Sequence, residues 1–187
     1  LMQRFLLAFL LFFQTFTTFS MEKKEIYLAG GCYWGLEYLL QDLDGIIETT
    51  VGFSGGALKN ATYDDVKTGE TGHAETIQVV YNAETITTEK LLFEFFRMHN
   101  PTTINQQGND RGTQYRSAIF YVTEDQKQAI HNVISQVNAS GHWQDPVVTE
   151  IHPFKSFYPA QESHQNYLKK NPNGYSCHFV RDFKFTD

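Results

Sequence analysis

From Glu25 onward this chain switches repeatedly between strand-like and helix-like patterning, and that alternation restricts it to folds in which helices pack on a mixed sheet. Apolar or alternating runs at 26–29, 46–53, 74–81, 115–122 and 147–151 predict strands. Between them, Leu36, Leu39, Leu40 and Leu43 recur at i, i+3, i+4 and i+7. Leu91, Leu92, Phe95 and Phe96 make a second helical face, opened by Thr88 as N-cap and stopped at Asn100-Pro101. A third helix starts at a capping box of Thr123 with Gln126, carries Ile130, Val133, Ile134 and Val137 inward, and ends at Gly141. Shorter helices are expected at 63–67 and 160–169, and the polar, aperiodic stretch 102–113 reads as a loop. The predicted class is α/β (α+β) with a mixed sheet. Residues 21–187 are expected to form a single domain, since 187 residues at 41% hydrophobic suffice for one sizeable core.

Residues 1–20 stand apart. Arg4 precedes a nine-residue apolar run, 5–13, and the small residues Thr18 and Ser20, a pattern that resembles a secretory signal peptide. The competing reading starts translation at Met21. The first places the protein outside the cytoplasm, the second inside it. The run is too short to span a bilayer comfortably, so no stable membrane association is expected. The net charge of −6, with no Lys/Arg cluster interleaved with aromatics, argues against nucleic acid as a partner.

The chemistry begins at Gly30-Gly31-Cys32-Tyr33-Trp34-Gly35, where a strand stops and a helix starts. Free N–H groups and the dipole at a helix N-terminus favour an anion, so Cys32 is expected to have a lowered pKa and a larger thiolate fraction. The flanking glycines allow a ligand close to the backbone. The only other cysteine, Cys177, lies in an irregular tail opened by Asn171-Pro172-Asn173-Gly174. Residues alone leave three readings of the two thiols: a structural bridge, a catalytic pair, or no relation.

Glu75 shares a strand face with Ile77, Val79 and Tyr81. Burial raises a carboxyl's pKa and prepares it as a general acid. His73-Ala74-Glu75 matches half of a zinc deaminase signature, but the Pro-Cys-x-x-Cys half is absent, and the remaining histidines show no ligand spacing. No metal is expected. Tyr33 and Trp34, beside the thiol, are candidates for the walls of an apolar pocket.

Four separated motifs then carry a family resemblance: Gly31-Cys32-Tyr33-Trp34-Gly35; Gly72-His73-Ala74-Glu75; the run from Asn105 to Ser117; and Asn171-Pro172-Asn173-Gly174-Tyr175-Ser176-Cys177-His178. Over about 26–181 the chain resembles peptide methionine sulfoxide reductase A. The resemblance implies a ferredoxin-like two-layer sandwich with extra peripheral elements, and reduction of methionine (S)-sulfoxide, free or in proteins, as a repair activity. It implies that Cys32 attacks the sulfoxide sulfur and Glu75 protonates the oxygen. Tyr63 and Tyr115 would hydrogen-bond that oxygen, Tyr33 and Trp34 would hold the S-methyl group, and Asp110 would belong to the polar network near the thiol. Cys177 would resolve the Cys32 sulfenic acid as a disulfide, recycled by thioredoxin as external reductant, with no bound cofactor and a monomeric protein.

The pattern departs from the family in places. Tyr33 stands where Phe is usual, which puts a hydroxyl at the rim of the methyl pocket. Ala61 replaces a frequent Pro, Ser176 intervenes before Cys177, and a second C-terminal cysteine is absent, so no two-step relay can form. On the residues alone, a Cys32 thiol hydrolase and a binding module closed by a Cys32–Cys177 bridge remain as other readings.

Overall fold

The structure is a computed structural model describing residues 21–185. The leader reading of residues 1–20 lies outside the described residues. The elements in order are β1 (Lys23–Gly30), α1 (Tyr33–Leu40), β2 (Ile46–Ser54), α2 (Tyr63–Val66), β3 (Ala74–Asn82), α3 (Thr88–Met98), β4 (Gln106–Gln107), β5 (Asp110–Arg111), β6 (Ser117–Tyr121), α4 (Glu124–Ala139), β7 (Glu150–Pro153), β8 (Tyr158–Pro159) and α5 (Tyr167–Lys170).

Six strands make one sheet in the order β7-β6-β1-β3-β2-β8. The central four, β6-β1-β3-β2, are antiparallel throughout and are joined through α1 and α3, which is the ferredoxin-like arrangement. β7 adds to β6 in parallel at one edge, and β8 pairs with the end of β2 at the other. The sheet is therefore mixed, as expected.

Strand alternation sets the layers. Ile26 and Leu28 of β1 point to one face, with Ile77 and Val79 of β3, into the main core with Leu36 and Leu40 of α1, Phe95 and Phe96 of α3 and Ile130 and Val133 of α4. Each such fully buried aliphatic contributes roughly 1.5–3 kcal/mol. The other face carries a small cluster of Tyr27, Ala29, Ala74, Ala118 and Phe120, covered by Phe154 and Phe157. Tyr27 and Phe154 stack with ring centroids 4.0 Å apart.

Several boundaries differ from the sequence expectation. α1 ends at Leu40, so Leu43 packs on the core from beyond the helix. Thr87, not Thr88, caps α3, accepting from the Lys90 N–H, while Thr88 bonds the Tyr81 hydroxyl. The capping box at α4 is half formed. Thr123 accepts from Gln126 N, but the Gln126 side chain accepts from Val122 N and donates to the Glu25 carbonyl. A glutamine that can tie α4 to β1 serves the tertiary fold better than a local cap. β6 begins only at Ser117, because Thr113–Tyr115 form a turn of 3-10 helix. The loop at 102–113 contains the tiny β4–β5 ribbon, and β7 starts at Glu150 rather than 147. The helix expected at 160–169 is broken into a 3-10 turn, Glu162–His164, and α5, with Asn166 between them at φ 53°. The buried Glu37 carboxylate of α1 accepts from Asn166 N at 2.9 Å and holds that left-handed residue in place. Among the described residues no helix is long and apolar enough to cross a membrane.

Candidate active site

Cys32 is the N-cap of α1, directly after the strand end at Gly30 and Gly31. Gly31 has φ +101°, a conformation that a side chain would strain, and a Cβ there would meet Gln107 at 2.5 Å. The chain turns sharply here and sets the thiol at the floor of a cavity of about 70 Å³, lined by Cys32, Tyr33, Trp34, Tyr63, Glu75, Asp110, Tyr115 and Tyr175. Every site residue read from the sequence except Cys177 lines this one space. Cys177 touches it through Asp110, with Sγ 3.3 Å from Asp110 Oδ2.

Glu75 comes from the start of β3, paired opposite Phe53 of β2, and is 3% exposed. Its Oε2 accepts from the Tyr33 N–H at 3.0 Å, so the first turn of α1 and the acid are directly joined. Burial pushes its carboxyl up to about 8, against the Tyr33 N–H and with help from the Asp110 charge. Glu75 therefore carries its proton at neutral pH.

Cys32 departs from the sequence expectation. The Trp34 N–H does favour the thiolate, as a helix start should, but burial outweighs it. The thiol is 7% exposed and its pKa is raised, not lowered. Thiol and acid thus shift in the same direction, and both hold their protons at neutral pH.

Tyr33 also differs. Its hydroxyl is not at a rim; the side chain is 1% exposed and the oxygen lies 2.6 Å from His164 Nδ1. His164 stands between the walls, with its ring 5.4 Å from Trp34 and 4.5 Å from Tyr63. Trp34 is backed by Tyr167, stacked at 3.8 Å. Both His164 and Tyr167 flank the broken helix, and no spacing in the sequence marks them as part of the site. Tyr175, in the stretch from Asn171 to His178, also lines the cavity, and nothing in its local sequence points it there. Tyr63 and Tyr115 come from α2 and the 3-10 turn before β6, and burial holds both phenols in their protonated, donor form. Both cysteines are free. Among the described residues no three His, Cys, Asp or Glu side chains gather as a metal would require.

A thiol and an acid that share one small pocket, with phenol donors beside them and a second thiol adjoining, define a thiol-dependent oxidoreductase. Residues 24–186 match the family model described as peptide methionine sulfoxide reductase, and the chain belongs to that family. It is 51% identical over 154 residues to a peptide methionine sulfoxide reductase MsrA 2 of Rhodopirellula baltica, covering 82% of this chain and 89% of that relative. Among solved structures it superposes on Mxr1 of Saccharomyces cerevisiae in reduced form with a TM-score of 0.81 at 37% identity, over 89% of this chain and 98% of that one. It also resembles Mxr1 in complex with Trx2, with a TM-score of 0.58 at 26% identity, over 89% and 97% of the two chains.

Proposed function

We propose that this protein reduces methionine (S)-sulfoxide, free or in proteins, to methionine and is recycled by a thioredoxin. The observation that carries the reading is Glu75, buried in the same small cavity as the Cys32 thiol, where burial raises its carboxyl.

The cavity volume of about 70 Å³ suits the tip of a methionine side chain. The S-methyl group lies against Tyr33 and Trp34, and the sulfoxide oxygen accepts from Tyr63 and Tyr115. Cys32 sulfur attacks the sulfoxide sulfur. Glu75 donates its proton to the oxygen as that oxygen gains charge, and the carboxylate so formed accepts the proton leaving Cys32. A raised thiol is compatible with this sequence, because the base that takes its proton is created during the step. The hydroxyl then moves from the methionine sulfur to Cys32 as the bond between the two sulfurs breaks, leaving Cys32 as a sulfenic acid and releasing methionine. The Cys177 thiol then displaces the hydroxyl as water and forms the Cys32–Cys177 disulfide. Family membership supports the substrate, and the Mxr1–Trx2 complex supports a thioredoxin as the partner that reduces the disulfide.

A free-thiol count before and after one equivalent of methionine sulfoxide tests the reading. Loss of two thiols per chain with release of one methionine is expected. Cleavage of an ester or amide, or no loss of thiol, overturns it.

A further inference from the structure

His178 is a half-buried titratable group that the reductase scheme leaves unused. Its ring lies against the start of α1: a Cβ on Gly35 would come within 2.8 Å of His178 Nδ1, and one on Gly31 within 3.3 Å of its Cε1. Its Nε2 lies 2.7 Å from the carbonyl oxygen of Gly30. A carbonyl oxygen can only accept, so Nε2 carries the hydrogen. In the neutral ring Nδ1 then holds a lone pair, and Nδ1 is 3.5 Å from Cys177 Sγ, within range of a hydrogen bond to sulfur. The Gly30 contact thus fixes both the ring and the tautomer. We propose that His178 is the general base that takes the Cys177 proton as this thiol attacks the Cys32 sulfenic acid, a role that rests on the reductase reading above.

The step needs such a base. Burial and Asp110 push the Cys177 thiol up to about 12. At pH 7 the thiolate would then be about one part in 10⁵, and the thiolate is the nucleophile. The groups facing the imidazole are Cys177, Asp110, Arg181 and His99. Burial lowers its pKa and keeps it neutral, Arg181 acts in the same direction, and the Asp110 charge favours the imidazolium once formed. Asp110 Oδ2 is the rival acceptor, 3.3 Å from the same sulfur. His178 Nδ1 takes the proton, and Asp110, whose charge favours the imidazolium, stabilises the product of that transfer.

The step balances. Cys177 gives its proton to His178 Nδ1, its sulfur bonds to Cys32 Sγ, and the sulfenic S–O bond breaks. The departing hydroxide gains a proton and leaves as water, and the imidazolium releases the proton it took. Cys177 sulfur is oxidised and Cys32 sulfur reduced by the same amount.

The test separates methionine release from disulfide closure in one rapid-mixing turnover, read as methionine by chromatography and as remaining thiol. In the wild type, closure is expected to be nearly flat between about pH 6 and 9, because a neutral imidazole acts throughout; an unassisted thiol would close about tenfold faster per pH unit. His178→Gln keeps an amide donor for the Gly30 oxygen and removes the basic nitrogen. In this variant, closure relative to methionine release is expected to fall by roughly 10²–10⁴ at pH 7 and to regain the steep pH dependence. A wild-type closure rate that climbs tenfold per unit overturns the proposal without any variant. So does a Gln variant that closes at the wild-type rate, or one slowed equally at every pH, which marks a tether alone. If the wild type releases no methionine, the reductase reading falls and takes this role with it. If it releases methionine but keeps the Cys177 thiol, only the resolving step falls, together with His178.

Discussion

The two cysteines of the site sit in opposite kinds of structure. Cys32 lies between β1 and α1, its backbone held by two antiparallel ladders on one side and a helix on the other. Cys177 lies in a segment with no strand or helix from 171 to 185. Apart from one backbone bond, Arg181 N–H to the Arg97 carbonyl, that segment is held to the rest by side chains: Arg97 to the Arg181 carbonyl, Arg181 to the Arg97 carbonyl, Asp110 to Cys177 and His178 to Gly30. Regular backbone pairing fixes the thiol that must meet a substrate of defined shape, whereas side-chain contacts hold the thiol that must move toward its partner and later be exchanged.

The largest expected effects break this comparison outright. Cys32→Ser should abolish methionine formation, whereas Cys177→Ser should release one methionine per chain and then stall with thioredoxin present; a burst assay with and without the reductant checks both. Next, Glu75→Gln should slow single-turnover methionine release by roughly 10²–10⁴. Wild-type release should fall as pH rises through about 8, where Glu75 loses its proton, and the variant should lack that fall. The same residue predicts a stability effect. A carboxyl raised in the folded state binds its proton more tightly there than in the unfolded chain, so its contribution is full below about 4.5 and is lost as pH rises toward about 8. Glu75→Gln should remove this slope, about 4–5 kcal/mol in all, as read by denaturant titrations across pH.

These tests depend on features of unequal legibility in the sequence. Gly30 to Gly35 marked the strand-to-helix turn, and Glu75 was placed on a buried face by period-2 alternation alone; both hold because local pattern and tertiary burial agree. The sign of the thiol's shift is not legible in the sequence, because helix-terminus electrostatics is local, while the burial that outweighs it comes from residues distant in sequence. His164 and Tyr167 were not legible as site residues. They reach Tyr33, Tyr63 and Trp34 only because Glu37, more than a hundred positions away in sequence, holds Asn166 left-handed and breaks the helix. β8 is two residues long and exists through its pairing with Gly52 and Phe53, below the length at which periodicity carries a signal.

Smaller effects sharpen the comparison. In Gly35→Ala the new Cβ would overlap Ser176 Oγ and lie 2.8 Å from His178 Nδ1, displacing the tail although the helix itself gains up to about 1 kcal/mol in propensity. Disulfide closure should slow by roughly tenfold, about 1.4 kcal/mol of barrier, with a much smaller change in methionine release. The smallest expected effect is that of Tyr33→Phe. It removes the bond to His164, which should lower stability by about 0.5–1.5 kcal/mol by thermal or denaturant unfolding and raise KM more than it lowers kcat.

The Gly30 carbonyl that receives His178 belongs to the last residue of β1, paired with Ser117 in the sheet and two positions before Cys32. Both sulfurs are therefore measured from one datum. Thermal breathing that shifts the end of β1 carries the nucleophile and the anchor of its partner together, and the error largely cancels in the gap between them. A loop without strand or helix can in this way keep the tolerance of the sheet, by borrowing its reference point instead of its rigidity.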